Sequence, residues 1–137
     1  MPVASVAQLM QCVLYEKRFF PYYVFNVLGG LDAEGRGAVY SFDPVGSYER
    51  EEFRAGGSAA SLLQPFLDNR IGRKGQNLVD TAKPGERDEL TLEKAVCFVK
   101  DAFIAASERD IYTGDCVEIH VITREGIQTE KFALRRD

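Results

Sequence analysis

The sequence predicts a single α+β domain, a sandwich of packed sheets with helices outside. Three observations predict it. The stretch from Tyr22 to Arg54 reads as three successive strands with tight connections. Apolar residues recur at helical spacing before and after that stretch. Towards the C-terminus Val117, Ile119 and Val121 alternate with Glu118 and His120, as in a strand with one wet face. The length of 137 residues suits one domain, and 45% hydrophobic with 28% charged residues excludes wholesale disorder.

The elements follow in order. Val3, Val6, Ala7, Met10, Val13 and Leu14 mark one apolar helix face, which Glu16-Lys17-Arg18 ends with two cations at the negative pole of the dipole. Tyr22 to Leu28 is rich in β-branched and aromatic residues and reads as the first strand, ended by Gly29-Gly30. Leu31 to Gly37 is a turn cluster, Ala38 to Phe42 the second strand, and Asp43-Pro44 a break, because proline removes a ladder donor. Val45 to Arg54 gives the third strand. Such a meander cannot bury its apolar face alone, so the first helix is expected to cover it. Ser58 is expected to cap a helix lined by Leu62, Leu63, Phe66, Leu67 and Ile71, with a kink or restart at Pro65. Gly72 to Leu90 is polar and reads as a surface excursion. Thr91 caps a stronger helix carrying Leu92, Ala95, Val96, Val99, Phe103 and Ala106, ending near Arg109. After the turn Asp110 to Asp115, a hairpin closes the chain, with Ile127 to Leu134 as its second strand.

The net charge of −4 and pI near 5.1 argue against a nucleic-acid or anionic-membrane partner. No run approaches the ~20 apolar residues of a membrane span, and the N-terminus lacks the marks of a signal peptide. Cys12, Cys97 and Cys116 form neither a CxxC nor a metal-ligand spacing. They are expected to be buried free thiols in a reducing compartment, cytoplasm or nucleus. The sole histidine, His120, falls on the polar face of its strand and reads as a solvated surface residue. GGLDAEGRG lacks the pattern of a phosphate loop, and the acidic residues lack metal-loop spacing. Neither a cofactor nor a metal is expected.

Four separated runs carry a resemblance: GAVYSFDPVGSYER (Gly37 to Arg50), RAGGSAASLLQPFLDN (Arg54 to Asn69), SERDIYTGD (Ser107 to Asp115) and IHVITREGI (Ile119 to Ile127). Together they resemble the eukaryotic 20S proteasome β-type subunits, best the non-catalytic members at the sixth ring position. The resemblance implies the four-layer α/β/β/α sandwich of the N-terminal-nucleophile hydrolases. It also implies that the first strands and helix of that fold precede everything here, so that residues 1–137 form one partial domain. The implied function is a structural β-ring subunit that shapes the proteolytic chamber for ubiquitin-dependent degradation. Its partners would be other proteasome α and β subunits and unfolded polypeptide substrates. The alternative is a threonine-type endopeptidase subunit whose nucleophile segment lies outside this sequence. A nucleophile of that type needs a free terminal amine as its base. The chain begins Met1-Pro2, and none of Thr81, Thr91, Thr113, Thr123 and Thr129 follows a glycine. No catalytic residue is therefore expected. By motif, Ser58, Asp110 and Thr113 match positions that support the nucleophile in active members, where serine is usual in place of Thr113. Read from the residues alone, Ser58 is a helix cap and the other two are turn-formers. Asp43 is expected to face a neighbouring subunit and to wall its substrate channel; its local reading is again a turn residue.

Overall fold

The computed structural model describes residues 2–72 and 90–135. The class is α+β: α1 (Val3–Glu16), β1 (Val27–Leu31), β2 (Gly37–Phe42), β3 (Tyr48–Glu51), α2 (Ala60–Arg70), α3 (Leu92–Ser107), β4 (Cys116–Thr123) and β5 (Gly126–Ala133). The segment read as a surface excursion, residues 73–89, lies outside the described residues. The chain divides into two compact units, residues 1–57 with 120–130, and residues 58–119 with 131–137.

In the first unit β1, β2 and β3 form an antiparallel meander in that order. Helix α1 covers one face. Val3, Ala7 and Leu14 from the helix form one core with Ala38, Tyr40 and Phe42 of β2, and Met10, Leu28 and Tyr48 pack against it. Burying a side chain of this size stabilises by roughly 1.5–3 kcal/mol, so this helix–sheet contact is the main source of stability in the unit. Tyr48 stacks on Phe42 with ring centroids 5.3 Å apart and meets Tyr40 edge-on at 5.9 Å. Val13, expected on the buried stripe, is instead largely exposed.

Strand β1 is displaced from its expected position: it runs through Gly29 and Gly30 instead of ending there. The cause is the helix above it. A Cβ on Gly30 would stand 3.0 Å from Cγ2 of Val3 and 3.1 Å from its Cβ. Glycine is thus a spacer that lets α1 approach β1, not a terminator.

The loops β1–β2 and β2–β3 share one construction. In each, an aspartate oxygen accepts from the amides two and four residues on. For Asp32 these are Glu34 at 3.1 Å and Arg36 at 2.8 Å; for Asp43 they are Val45 at 3.0 Å and Ser47 at 2.8 Å. In each, the glycine three residues on, Gly35 or Gly46, adopts a left-handed conformation with φ of 74° or 90°. This is a turn closed by a left-handed residue, and its sequence mark is D-x-x-G.

In the second unit α2 packs on α3. Leu63 of α2 and Ala102 and Ala106 of α3 are buried. Thr91 caps α3 as expected, its hydroxyl accepting from the Lys94 amide at 3.3 Å. Ser58 does not cap α2: the N-cap is Ala59, with no side-chain cap. Helix α2 continues through Pro65 instead of restarting there. The bond lost there is to the carbonyl of Ser61; both residues are exposed, so water can satisfy it.

Strands β4 and β5 pair as the expected hairpin. Val117 and Ile119 are buried, alternating with exposed neighbours. All three cysteines are free, but exposed rather than buried. The geometry is simple. Cys12 is nine positions from Val3 and Cys97 nine from Ala106, about half a helical turn out of phase with the buried stripe. Cys116 precedes buried Val117 and so points to the other side of its strand.

Candidate functional site

Ser58, Asp110 and Thr113 converge on one oxygen. Helix α3 ends at Ser107, and the amide of Asp110 still bonds the Ala106 carbonyl at 2.8 Å, which fixes where the aspartate leaves the helix. Its Oδ1 then accepts from the Tyr112 amide at 3.2 Å, a local turn contact. Its Oδ2 accepts from the Thr113 hydroxyl at 2.7 Å and from the Ser58 hydroxyl at 2.5 Å. Ser58 stands 52 positions away in sequence. The hydroxyl expected to cap a helix is spent on this carboxylate. With the Ser58 hydroxyl as the largest cause and the Thr113 hydroxyl next, Asp110 is held below its ordinary pKa. The cluster therefore presents a carboxylate that stays ionised and two hydroxyls of fixed orientation. That arrangement positions a polar network; a proton acceptor near neutrality would need the opposite shift.

Asp43 lies at the other motif position. Its Oδ1 is committed to the β2–β3 turn, whose backbone also closes through the Asp43 amide to the Ser47 carbonyl at 2.9 Å. The turn is set against α1: a Cβ on Gly46 would fall 2.8 Å from the Gln11 carbonyl oxygen. Asp43 is half-buried and lines a shallow depression of about 340 Å³ shared with Phe25, Phe42, Tyr48, Glu49 and Arg54. Its lining mixes aromatic faces with two carboxylates and one guanidinium, the latter paired to Glu51 at 3.2 Å. Asp43 thus serves the turn and borders a recess.

Asp32 was missed in the sequence as anything beyond a turn residue. Its carboxylate is almost covered and accepts from Arg36 Nε at 3.2 Å and Arg50 Nη2 at 3.0 Å besides the two amides. These contacts, the Arg36 amide first, lower its pKa to about 2. The signal available was D-x-x-G followed by arginine, but the Arg50 contact depends on β2–β3 pairing and no local spacing announces it. Arg124, at the β4–β5 turn, donates to the Glu34 carbonyl of the same loop. His120 is exposed, as expected, and its Nδ1 lies 3.0 Å from the Thr129 hydroxyl across the hairpin. Among the described residues no cluster of histidine, cysteine or acidic side chains could hold a metal ion. No helix among them is long and apolar enough to cross a membrane.

Comparison with known proteins gives the family. The family model described as proteasome subunit matches residues 1–122. The chain is 56% identical over 137 residues to proteasome subunit beta type-1-B of Carassius auratus, covering 100% of this chain and 55% of the relative. It is 51% identical to proteasome subunit beta type-1 of Drosophila melanogaster, covering 100% of this chain and 57% of the relative. It is 48% identical over 142 residues to proteasome subunit beta type-6 of Saccharomyces cerevisiae, covering 98% of this chain and 57% of the relative. The chain thus spans little more than half the length of these relatives, and on the family match it belongs to the proteasome subunit family.

Proposed function

We propose that this chain is a structural subunit of the β ring of the 20S proteasome core, shaping the proteolytic chamber without cleaving peptides itself. The family match over residues 1–122, with relatives named as beta-type subunits, carries the reading. The partners are other proteasome α and β subunits and unfolded polypeptides within the chamber, in the cytoplasm and nucleus; the net charge of −4 suits neither nucleic acid nor an anionic membrane. The reading includes the four-layer α/β/β/α sandwich, residues 1–137 being one partial domain of it; helix α1 lying on the β1–β3 sheet is the α-on-β element such a sandwich requires.

The threonines support an inactive role, since each described one has a structural contact. Thr91 caps α3 and Thr113 holds Asp110. Thr123 accepts from the Glu125 amide at the hairpin turn, and Thr129 faces His120. The Ser58–Asp110–Thr113 cluster keeps the family's supporting positions as a brace. Asp43, in turn, presents negative charge to the substrate channel of an adjacent subunit. The test is native purification of the tagged chain followed by treatment with a probe for N-terminal threonine. The expected result is co-purification with α- and β-type subunits and no label on this polypeptide. A labelled chain would establish the peptidase reading instead, and a chain that enters no proteasome would end both.

A further inference from the structure

We infer that the β1–β2 loop is a seat for the Arg124 guanidinium and that Arg50 keeps the seat in shape. A residue of β3 thereby governs the tip of the β4–β5 hairpin, although two like charges cannot bond to each other. The inference does not depend on the β-ring reading. It starts from the two D-x-x-G turns. Each carries a left-handed glycine, Gly35 or Gly46, which presents bare backbone to whatever approaches. At Gly46 the approaching element is α1: its Gln11 carbonyl oxygen and Leu14 Cβ would lie 2.8 and 3.1 Å from an added Cβ. At Gly35 it is a side chain, since an added Cβ would overlap Nε, Cζ and Nη2 of Arg124. Arg124 also donates from Nη2 to the Glu34 carbonyl. Its planar guanidinium thus lies against the loop backbone and bonds it. The hairpin turn is ordered to present this side chain. The Thr123 hydroxyl donates to the Gly126 carbonyl and accepts from the Glu125 amide, both at 3.3 Å. Residues 120–130 and the loop belong to the same compact unit.

Arg50 spans the loop. Its Nη2 donates to the Asp32 carboxylate at 3.0 Å and to the Gly37 carbonyl at 3.3 Å, one acceptor at each end. Asp32 passes this hold on. Its carbonyl accepts from the Gly35 amide at 3.0 Å, and that amide shares one planar peptide unit with the Glu34 carbonyl. Fixing Asp32 therefore fixes the direction in which the Glu34 carbonyl points. The path runs from Arg50 through Asp32 and the 34–35 peptide to Arg124. Electrostatics alone predicts the opposite sign. Arg36 and Arg50 both pair with Asp32, and Arg36 pairs with Glu34 as well. Removing one cation from this loop would tighten its hold on the next. Transmission through the peptide unit says instead that removing Arg50 frees Arg124, so the sign of the effect decides.

The test purifies the tagged chain under native conditions, in whatever assembly carries it, and treats it briefly with phenylglyoxal. This dicarbonyl bridges the two terminal nitrogens of a guanidinium, so a bond from Nη2 slows it. Mass spectrometry of the digested chain gives the rate at each arginine. Gly35→Asn supplies a residue that tolerates the left-handed conformation but puts a Cβ into the seat. Arg50→Met removes the span across the loop, and Arg50→Lys keeps the charge on a shorter arm. Arg124 should react roughly threefold faster, or more, in Gly35→Asn and in Arg50→Met than in the wild type, the effect of losing one hydrogen bond. Arg50→Lys should fall between. In Gly35→Asn the rate at Arg36 should stay unchanged, because the closure of the loop on Asp32 is kept. Arg70 and Arg109, in the other compact unit, should keep wild-type rates in every variant. An unchanged Arg124 rate in Gly35→Asn would overturn the seat. An unchanged or slower rate in both Arg50 variants would overturn the coupling. Equal gains at Arg36, Arg70, Arg109 and Arg124 would be general loosening and would overturn both.

Discussion

Among the described residues, Asp32, Asp43 and Asp110 begin turns, and their surroundings set them apart. Asp110 owes its lowered pKa first to Ser58. Ser58→Ala should therefore raise it towards the ordinary value, and Thr113→Ala should do so less; the titration of the Asp110 carboxyl carbon by NMR reads both. Asp32 makes a claim about stability. Its folded pKa of about 2 lies below the ordinary 3.8, so the folded state favours the ionised form. The associated stability is fully present above about pH 4 and is lost as pH falls towards 2. Asp32→Asn should flatten the pH dependence of the denaturant midpoint across that window, while the wild type declines through it. A wild type with no decline between pH 4 and 2 would contradict the assignment. The turn roles of these residues are legible in sequence, because an aspartate bonding amides two and four residues on is a local event. The ties from Asp110 to Ser58 and from Asp32 to Arg50 span 52 and 18 positions and arise only when elements meet.

Elements were more legible than their limits. Helix α1 was marked by its apolar stripe and α3 by its Thr91 cap, and both form where that local chemistry places them. Strand β1 was misplaced because composition and pairing disagree: residues 22–25 suit a strand but find no ladder, whereas Gly29 and Gly30 suit none but pair with Val39 and Ala38. Pairing decides, since each backbone group left without a partner is costly when covered. The helix-cap reading of Ser58 failed for a like reason, a charged acceptor outcompeting orphan amides for the hydroxyl. A prediction tests the spacer role of Gly30. Gly30→Ala adds a methyl 3.1 Å from the branched Cβ of Val3, which cannot rotate away. Alanine in place of glycine usually favours a strand by a few tenths to about 1 kcal/mol, but overpacking of this kind costs about 1–3 kcal/mol, so the net change should be destabilising. Urea unfolding followed by tyrosine fluorescence reads it. Gly30→Ala with Val3→Ala should recover much of the loss; no recovery would show that the contact is not the cause.

At the scale of the molecule, the α+β class and the order of elements were legible because hydrophobic period changes from 3.6 to 2 at their junctions. The division into two units was not, since composition does not shift where they part. What a larger assembly adds is tested at Asp43. In the proposed ring this residue does two things that substitutions can separate. Its Oδ1 holds the β2–β3 turn against α1, and on the proposed reading its charge would face a neighbour's channel. Asp43→Asn keeps an oxygen acceptor for the Val45 and Ser47 amides and removes only the charge. Asp43→Ala removes both. Assembly should survive Asp43→Asn, while the adjacent active subunit loses preference for basic or polar side chains at the subsite that Asp43 borders. The expected change is modest, about 1 kcal/mol or less in relative kcat/KM between basic and neutral peptides, because a half-buried carboxylate is screened by water and salt. It should shrink further at high ionic strength. Asp43→Ala should in addition lower the yield of assembled particles, since an aspartate replaced in such a turn leaves two amides without an acceptor. Equal assembly by both variants would assign Asp43 no part in the turn's stability. An unchanged peptide preference in the Asp43→Asn particle would leave it as a turn residue alone.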